Sequence, residues 1–252
     1  MLCRDFRCIY VHIPKTAGES IISYFLGLLG DNVQTREKLL LFYNKNPQHG
    51  PAILTHLTAA EYLQHGFVNS TEFSSFFKFA FVRNPWDRLV SEYKFRGYPW
   101  LFDFKSFLFK HFPRPGQADP YLHVKPQYDY LHDRDGRLLA DFVGRFERLK
   151  EDFSAVCRRL GFCDHTLPHI NSSPPPRFSR EHWRTTWPAM FLPDSRYRRR
   201  VFGHYSEFYD DESREFVADM YAKDISTFGY TFGQRPVRVA QADPVLAKLP
   251  AS

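Results

Sequence analysis

One short stretch of the chain has the residue types and order that bind an oxyanion. Residues 14–20 read Pro-Lys-Thr-Ala-Gly-Glu-Ser, after an apolar β-branched run and before a helical pattern of apolar residues. A strand, a tight loop and a helix start bring backbone N–H groups and the positive end of a helix dipole together. Lys15 adds a positive charge, and Thr16 and Ser20 add hydroxyl donors. The pattern predicts a phosphate- or sulfate-binding loop, although an ordinary strand-to-helix turn with a solvated lysine has the same residues.

A second stretch predicts another anion ligand. An apolar strand over Phe77–Val82 ends in Arg83, Asn84 suits a helix N-cap, and Pro85 suits the first helical position. The carboxyl edge of an open α/β sheet is where such proteins bind ligands. Ser91 follows on the same helix, so Arg83 and Ser91 are expected to hold one phosphate. The alternatives are an arginine that braces a turn and an ordinary helix serine.

Together these stretches resemble the carbohydrate sulfotransferases of the heparan 2-O-sulfotransferase type and their bacterial relatives. In that family, Pro-Lys-Thr-x-Gly-x-Ser holds the 5′-phosphosulfate of 3′-phosphoadenosine-5′-phosphosulfate (PAPS), and Arg-(Asn/Asp)-Pro with a later Ser holds the 3′-phosphate. Five further segments resemble family segments in the same order: residues 53–61, 126–131, 142–153, 167–173 and 221–230. The resemblance spans about residues 7–232.

The resemblance implies a PAPS-dependent O-sulfotransferase that needs no metal and acts on a hydroxyl of an acceptor, for which we expect a glycan or glycoconjugate. It assigns cofactor binding to Lys15, Thr16, Ala17, Gly18, Glu19, Ser20, Arg83, Ser91, Asn171, Ser172 and Ser173. The alternative for the last three is that they are turn residues before a run of prolines. Lys15 would stabilise the leaving phosphate and His56 would be the general base. His12 is the rival base, although its position within the strand favours an orienting or packing role. Gln127 and Tyr128 either face the acceptor or pack.

Two residues of the loop depart from the family pattern. Ala17 stands where relatives often have Gly, a harmless change if its φ is negative. Glu19 stands where Thr is common, and a carboxylate beside an anionic ligand would repel it. Because an acidic residue in the first turn favours a helix, we expect Glu19 to point away from the loop.

Charge and composition leave two other classes of function open. The net charge of +6 favours anionic ligands, either nucleotide phosphates or an acidic acceptor. A P-loop kinase would bind phosphate similarly, but Lys15 precedes Gly18, whereas the Walker order is the reverse. A non-catalytic protein that binds glycan or nucleic acid would explain the charge but not the two stretches, and no nucleic-acid motif appears.

The patterns predict an α/β fold: a three-layer, P-loop-like, doubly wound arrangement in which helices flank a mainly parallel sheet. The strands are expected at Arg7–Ile13, Ala52–Thr55, Phe77–Val82 and Asp141–Phe146. A capping box at Thr58 and Glu61 begins one helix, and two further helices run over about residues 149–160 and from 210 or 211 to 228. We expect one domain over residues 1–234 and a loose tail over 235–252.

The remaining expectations concern the cysteines and the cellular location. The four cysteines have neither metal-ligand nor Cys-x-x-Cys spacing, which predicts buried free thiols. No transmembrane segment or signal peptide is seen, and we expect a cytoplasmic enzyme of the bacterial type.

Overall fold

The computed structural model of the chain describes residues 1–168 and 203–233. Two compact units divide these residues. The first comprises residues 1–83 and 125–168, and the second comprises residues 84–124 and 203–233. The predicted tail, residues 235–252, lies outside the described residues, and the predicted single domain stays a prediction.

The first unit contains a four-stranded mixed sheet. Its strands are β1 (Leu2–Cys3), β2 (Cys8–Val11), β3 (Phe77–Val82) and β4 (Phe142–Arg145). β1 pairs antiparallel with β2, whereas β2–β3 and β3–β4 are parallel. The order of the described strands follows the chain, without the reversal that gives a doubly wound sheet its switch point.

Helices cover this sheet and complete its core. The described helices of the first unit are α1 (Gly18–Leu29), α2 (Val33–Lys38), α3 (Ala59–Gln64), α4 (Ser70–Ser75), α8 (Tyr128–Leu131) and α9 (Leu149–Leu160). Phe25 of α1 and Phe153 of α9 are buried in one cluster with Tyr10, Phe79 and Phe81 of the sheet. Burying aromatic side chains of this size contributes much of the hydrophobic stabilisation of such a core. The parallel strands thereby hold the loop that follows β2 and the residue that follows β3 at one edge.

The second unit has an aromatic core of its own. Its described helices are α5 (Pro85–Phe95), α6 (Phe104–Lys110), α7 (Ala118–Val124), α10 (Asp211–Met220) and α11 (Ala222–Phe228). Tyr93, Phe107 and Val217 are among its fully buried residues.

A buried ion-pair network links α5 to α7 in the second unit. Glu92 is 1% exposed and contacts His123 Nδ1 at 2.8 Å and Arg96 Nε at 2.7 Å. Burial acts to raise the pKa of Glu92, but His123 and Arg96 outweigh it and hold the pKa below its ordinary value.

Most predicted elements are present, with small differences at their ends. β3 and α9 have the predicted bounds, and Gly161 ends α9 in the left-handed region at φ 76°. The capping box at Thr58 and Glu61 is confirmed. The predicted final helix is two helices, because Tyr221 departs from helical geometry between α10 and α11.

Two predictions were wrong: the strand at Ala52–Thr55 and the burial of one of the four thiols. Ala52–Thr55 is no strand: Leu54–His56 is a 3-10 turn, and Ile53 makes a single bridge to Tyr43. Its short apolar run follows Pro51, which cannot donate a ladder hydrogen bond. Cys163 is exposed, whereas the other three cysteines are buried free thiols, as predicted.

Candidate functional site

In the loop between β2 and α1, the sign of the backbone φ angle alternates from one residue to the next. Lys15 and Ala17 have positive φ, 70° and 71°, whereas Thr16 between them does not. Such alternation turns successive N–H groups towards one concave side, the geometry of an anion-binding nest. The predicted condition for Ala17, a negative φ, is therefore not met. Each of these non-glycine residues costs about 1 kcal/mol or more in conformational energy, a strain typical of functional loops.

Thr16 stabilises the loop internally. It is fully buried, and its hydroxyl donates to the carbonyl of Ile13 at 2.8 Å. The hydroxyl proton is therefore used within the loop. Tyr10 lies beneath it: burial raises the pKa of Tyr10 above its ordinary value, and contact with the Thr16 hydroxyl opposes this.

Gly18, the first residue of α1, is required by its contact with His12. A Cβ atom at position 18 would lie 1.7 Å from Nε2 of His12 and 2.1 Å from its Cδ2. The His12 ring is itself 4% exposed and stacks on Tyr10, with ring centroids 5.6 Å apart. An imidazole thus lies directly against the N-terminus of α1, and no other residue type fits between them.

Arg83 connects the two predicted motifs. It follows β3, and its Nη1 donates to the carbonyl of Lys15 at 3.2 Å. Its guanidinium also lies over the Phe146 ring, 4.0 Å from the centroid, a cation–π contact worth about 0.5–2 kcal/mol. The structure therefore brings Lys15 and Arg83 together through a side chain that holds the loop backbone.

His56 lies next to the same loop, although not on the strand that was predicted for it. Its Nδ1 donates to the carbonyl of His12 at 3.1 Å, and the two imidazole centroids are 4.6 Å apart. With the proton on Nδ1, Nε2 carries the lone pair of the neutral ring. The 3-10 turn is thus tied to the end of β2, and His56 can accept a proton through Nε2.

The other predicted site residues occupy diverse positions. Ser20 is buried in the first turn of α1, and Glu19 is exposed. Ser91 is half-buried on α5, in the second unit, and Asn171, Ser172 and Ser173 lie outside the described residues.

Gln127 and Tyr128, the predicted acceptor residues, differ in exposure. Gln127 is fully buried, and both ends of its carboxamide bond to the Arg83 main chain. Tyr128 is half-buried, and its ring stacks on that of His132 at 3.7 Å between centroids.

Sequence reasoning missed two structural roles at this site. Phe146, under Arg83, was predicted only as the end of a strand. Packing was one of the two alternatives for Gln127, but its bonds to the Arg83 main chain were not predicted. Neither role has a local sequence signal, because each partner of Arg83 lies far from it along the chain.

Residues 1–168 and 203–233 contain neither a metal-ligand cluster nor a membrane-spanning helix. In these ranges, no group of three or more His, Cys, Asp and Glu side chains could hold a metal ion. No helix there has the length and apolar character needed to span a bilayer.

Chemically, this edge of the sheet combines a concave backbone with cations and a potential base. The N-terminus of α1, Lys15 and Arg83 favour a bound anion, and His56 can remove a proton beside it. Such a combination suits the transfer of a charged group between oxygen atoms.

The chain is similar to one curated protein and to one protein family. A curated protein from Archaeoglobus fulgidus, described as uncharacterized, is 34% identical over 104 residues, which are 40% of this chain and 81% of that protein. No solved structure matches the chain. The profile of the sulfotransferase family matches residues 1–231, which include every element described above up to α11. The chain belongs to the sulfotransferase family.

Proposed function

We propose that this sulfotransferase moves the sulfuryl group of PAPS to a hydroxyl of an acceptor, with a carbohydrate as the acceptor class. The observation that carries the proposal is the nest at residues 15–17, which directly precedes α1 and whose Lys15 carbonyl accepts a hydrogen bond from Arg83. We further propose that the enzyme acts in the cytoplasm and without a metal.

The residues of the loop fit a phosphosulfate group. At Gly18 the space that a Cβ would fill is already occupied by the His12 ring, so the backbone at the helix start carries no side chain. The first N–H groups of a helix have no carbonyl partner one turn earlier and can donate to anionic oxygens. At α1 this leaves the start of the helix at Gly18 and Glu19, because the N–H groups of Ser20 and Ile21 donate to the Ala17 carbonyl. Lys15 and Arg83 supply positive charge beside them.

Lys15 and His56 have the two chemical roles in the proposed reaction. When bound, PAPS supplies an activated sulfuryl group attached to a phosphate leaving group. The Lys15 ammonium stabilises the negative charge that develops on that phosphate. His56, with its proton on Nδ1, takes the proton of the acceptor hydroxyl at Nε2. Holding donor and acceptor in line supplies the remainder of the rate enhancement, as in phosphoryl transfer.

The 3′-phosphate requires a second group of ligands. We assign it to Arg83 and Ser91, with Asn171, Ser172 and Ser173 as further contacts to the nucleotide. Arg83 suits this role because its planar guanidinium binds phosphate oxygens in pairs. Tyr128 remains our proposed contact for the acceptor.

The test is transfer of radiolabelled sulfate from PAPS to pools of polysaccharides, lipid-linked sugars and small hydroxylated compounds. We expect one carbohydrate pool to become labelled, and Lys15→Ala and His56→Ala each to lower the rate at least 100-fold. Matched controls are Lys45→Ala and His65→Ala, which remove exposed side chains of the same types in the same unit. Full activity in Lys15→Ala or His56→Ala would contradict the assigned roles.

A further inference from the structure

Arg83, the residue that follows β3, has its main chain fixed by the side chain of Gln127. Gln127 Oε1 accepts a hydrogen bond from the Arg83 N–H at 2.8 Å, and Gln127 Nε2 donates to the Arg83 carbonyl at 2.8 Å. The β3–β4 pairing ends one residue earlier, at Val82 and Arg145. The carboxamide therefore satisfies the N–H and C=O of Arg83 where the strand pairing has ended.

We infer that Gln127 is a positioning residue for the donor nucleotide, acting through Arg83; this rests on the proposed function. The Arg83 side chain joins the Lys15 carbonyl to the Phe146 ring. Both contacts depend on where β3 delivers the Cα of Arg83. Gln127 sets that position, and through it the Lys15 carbonyl, whose residue has a strained φ of 70°.

The hydrogen-bonding capacity of the side chain explains why glutamine stands here. A primary carboxamide carries an acceptor and a donor side by side in one plane, which the N–H and C=O of a single extended residue require. A glutamate carboxylate would place a second acceptor against the Arg83 carbonyl, and methionine would leave both Arg83 groups without their present partner. Gln127 precedes α8 and makes no side-chain capping hydrogen bond to that helix; its carboxamide bonds to the Arg83 main chain instead.

A direct contact with the acceptor is the competing role, and burial argues against it. Gln127 has 0% exposure, and each end of its carboxamide already bonds to the main chain. A purely structural role is the other alternative. It predicts that Gln127 variants are less stable, and that any loss of nucleotide affinity is the same with and without the Arg83 side chain.

The first test is a double-mutant cycle with Gln127→Glu and Arg83→Ala, measured as affinity for 3′-phosphoadenosine-5′-phosphate (PAP) at pH 8. We expect Gln127→Glu to weaken binding at least tenfold in the parent and less than twofold in Arg83→Ala. Gln64→Glu, which makes the same change at an exposed position, should leave affinity unchanged. Equal losses in both backgrounds, or no loss in the parent, would overturn the inference.

The pH profile of Gln127→Glu adds a readout that general destabilisation would not change. A protonated carboxyl group has one donor and one acceptor, as the amide has, and burial raises the pKa of a carboxyl group. At pH 5.5 the variant should therefore recover at least half of the lost affinity relative to the parent at the same pH. A deficit that is the same at both pH values would contradict positioning by these two hydrogen bonds.

A third measurement separates this inference from the proposed function. Absence of PAP binding by the parent would refute the proposed function, so the hold on Arg83 is also measured by amide hydrogen exchange without nucleotide. Gln127→Met should raise the exchange rate of the Arg83 amide at least tenfold, whereas Gln64→Glu should not. An unchanged Arg83 rate would overturn the inference, whatever PAP does.

Discussion

Substituting alanine for Gly18 should destabilise the protein and weaken nucleotide binding, because no space exists for a methyl group. The added Cβ would lie 1.7 Å from His12 Nε2 and 2.4 Å from Cε1, where ordinary contacts begin near 3.4 Å. To reach an ordinary contact distance of 3.4 Å, Nε2 of His12 would have to move by about 1.7 Å. The ring cannot do so freely, since it is 4% exposed and packs on Tyr10 and His56.

The net cost can be estimated from two opposing effects. Overpacking of a buried site costs about 1–3 kcal/mol, and replacing a helical glycine by alanine returns about 0.5–1 kcal/mol. We therefore expect Gly18→Ala to lower the free energy of unfolding by about 1 kcal/mol, and by no more than about 2.5 kcal/mol, measured by urea denaturation. Because the displaced ring lies at the start of α1, we also expect a tenfold or greater loss of PAP affinity.

Gly27→Ala is the matched control on the same helix. A Cβ at Gly27 would meet nothing within 4 Å, so this variant should gain about 0.5 kcal/mol of stability and bind PAP normally. The double variant Gly18→Ala with His12→Ala should lose less stability than the sum of the two single changes. If Gly18→Ala were as stable as Gly27→Ala, the close packing of His12 on the helix start would be refuted.

Three further predictions concern the loop, its arginine and the second unit. Ala17→Gly should raise the free energy of unfolding by about 1 kcal/mol, because φ 71° costs alanine more than the unfolded-state entropy that glycine adds; urea denaturation would detect this, and a decrease would contradict it. Phe146→Leu should weaken PAP binding about three- to tenfold by removing the ring under Arg83, and calorimetry with unchanged affinity would refute that role. Glu92→Gln should cost about 2 kcal/mol at pH 7. The pKa of Glu92 in the folded protein is below its ordinary value, so the carboxylate contributes its full stabilisation at any pH above that ordinary value. This stabilisation is lost as the pH falls through the lower pKa of the folded protein. Denaturation below about pH 4 should therefore show a smaller stability difference between Glu92→Gln and the parent.

The sequence predicted the elements whose signals are local. The apolar run of β3, the capping box at Thr58 and the helix stop at Gly161 each depend on neighbouring residues, and all three are present. The 3-10 turn at Leu54–His56 was misread because three apolar residues fit a short strand as well as a turn. Its orientation depends on the His12 carbonyl, 44 residues away along the chain.

The candidate site shows the same limit. The order Lys-Thr-Ala-Gly predicted an anion-binding loop, yet the positive φ of Ala17 and the packing of His12 on Gly18 follow from tertiary contacts. The bond between Gln127 and the Arg83 main chain also joins residues 44 positions apart. No local pattern marks such a partner, because any buried polar group could provide it.

The most direct test of the proposed function is calorimetric titration of the protein with PAP in EDTA, with AMP and ATP in parallel. We expect PAP to bind with a micromolar or lower dissociation constant and AMP at least 100-fold more weakly, because AMP lacks the 3′-phosphate assigned to Arg83 and Ser91. Arg83→Ala should remove most of this difference. Failure of PAP to bind, or binding of ATP that appears only when Mg²⁺ is restored, would contradict the PAPS-dependent reaction.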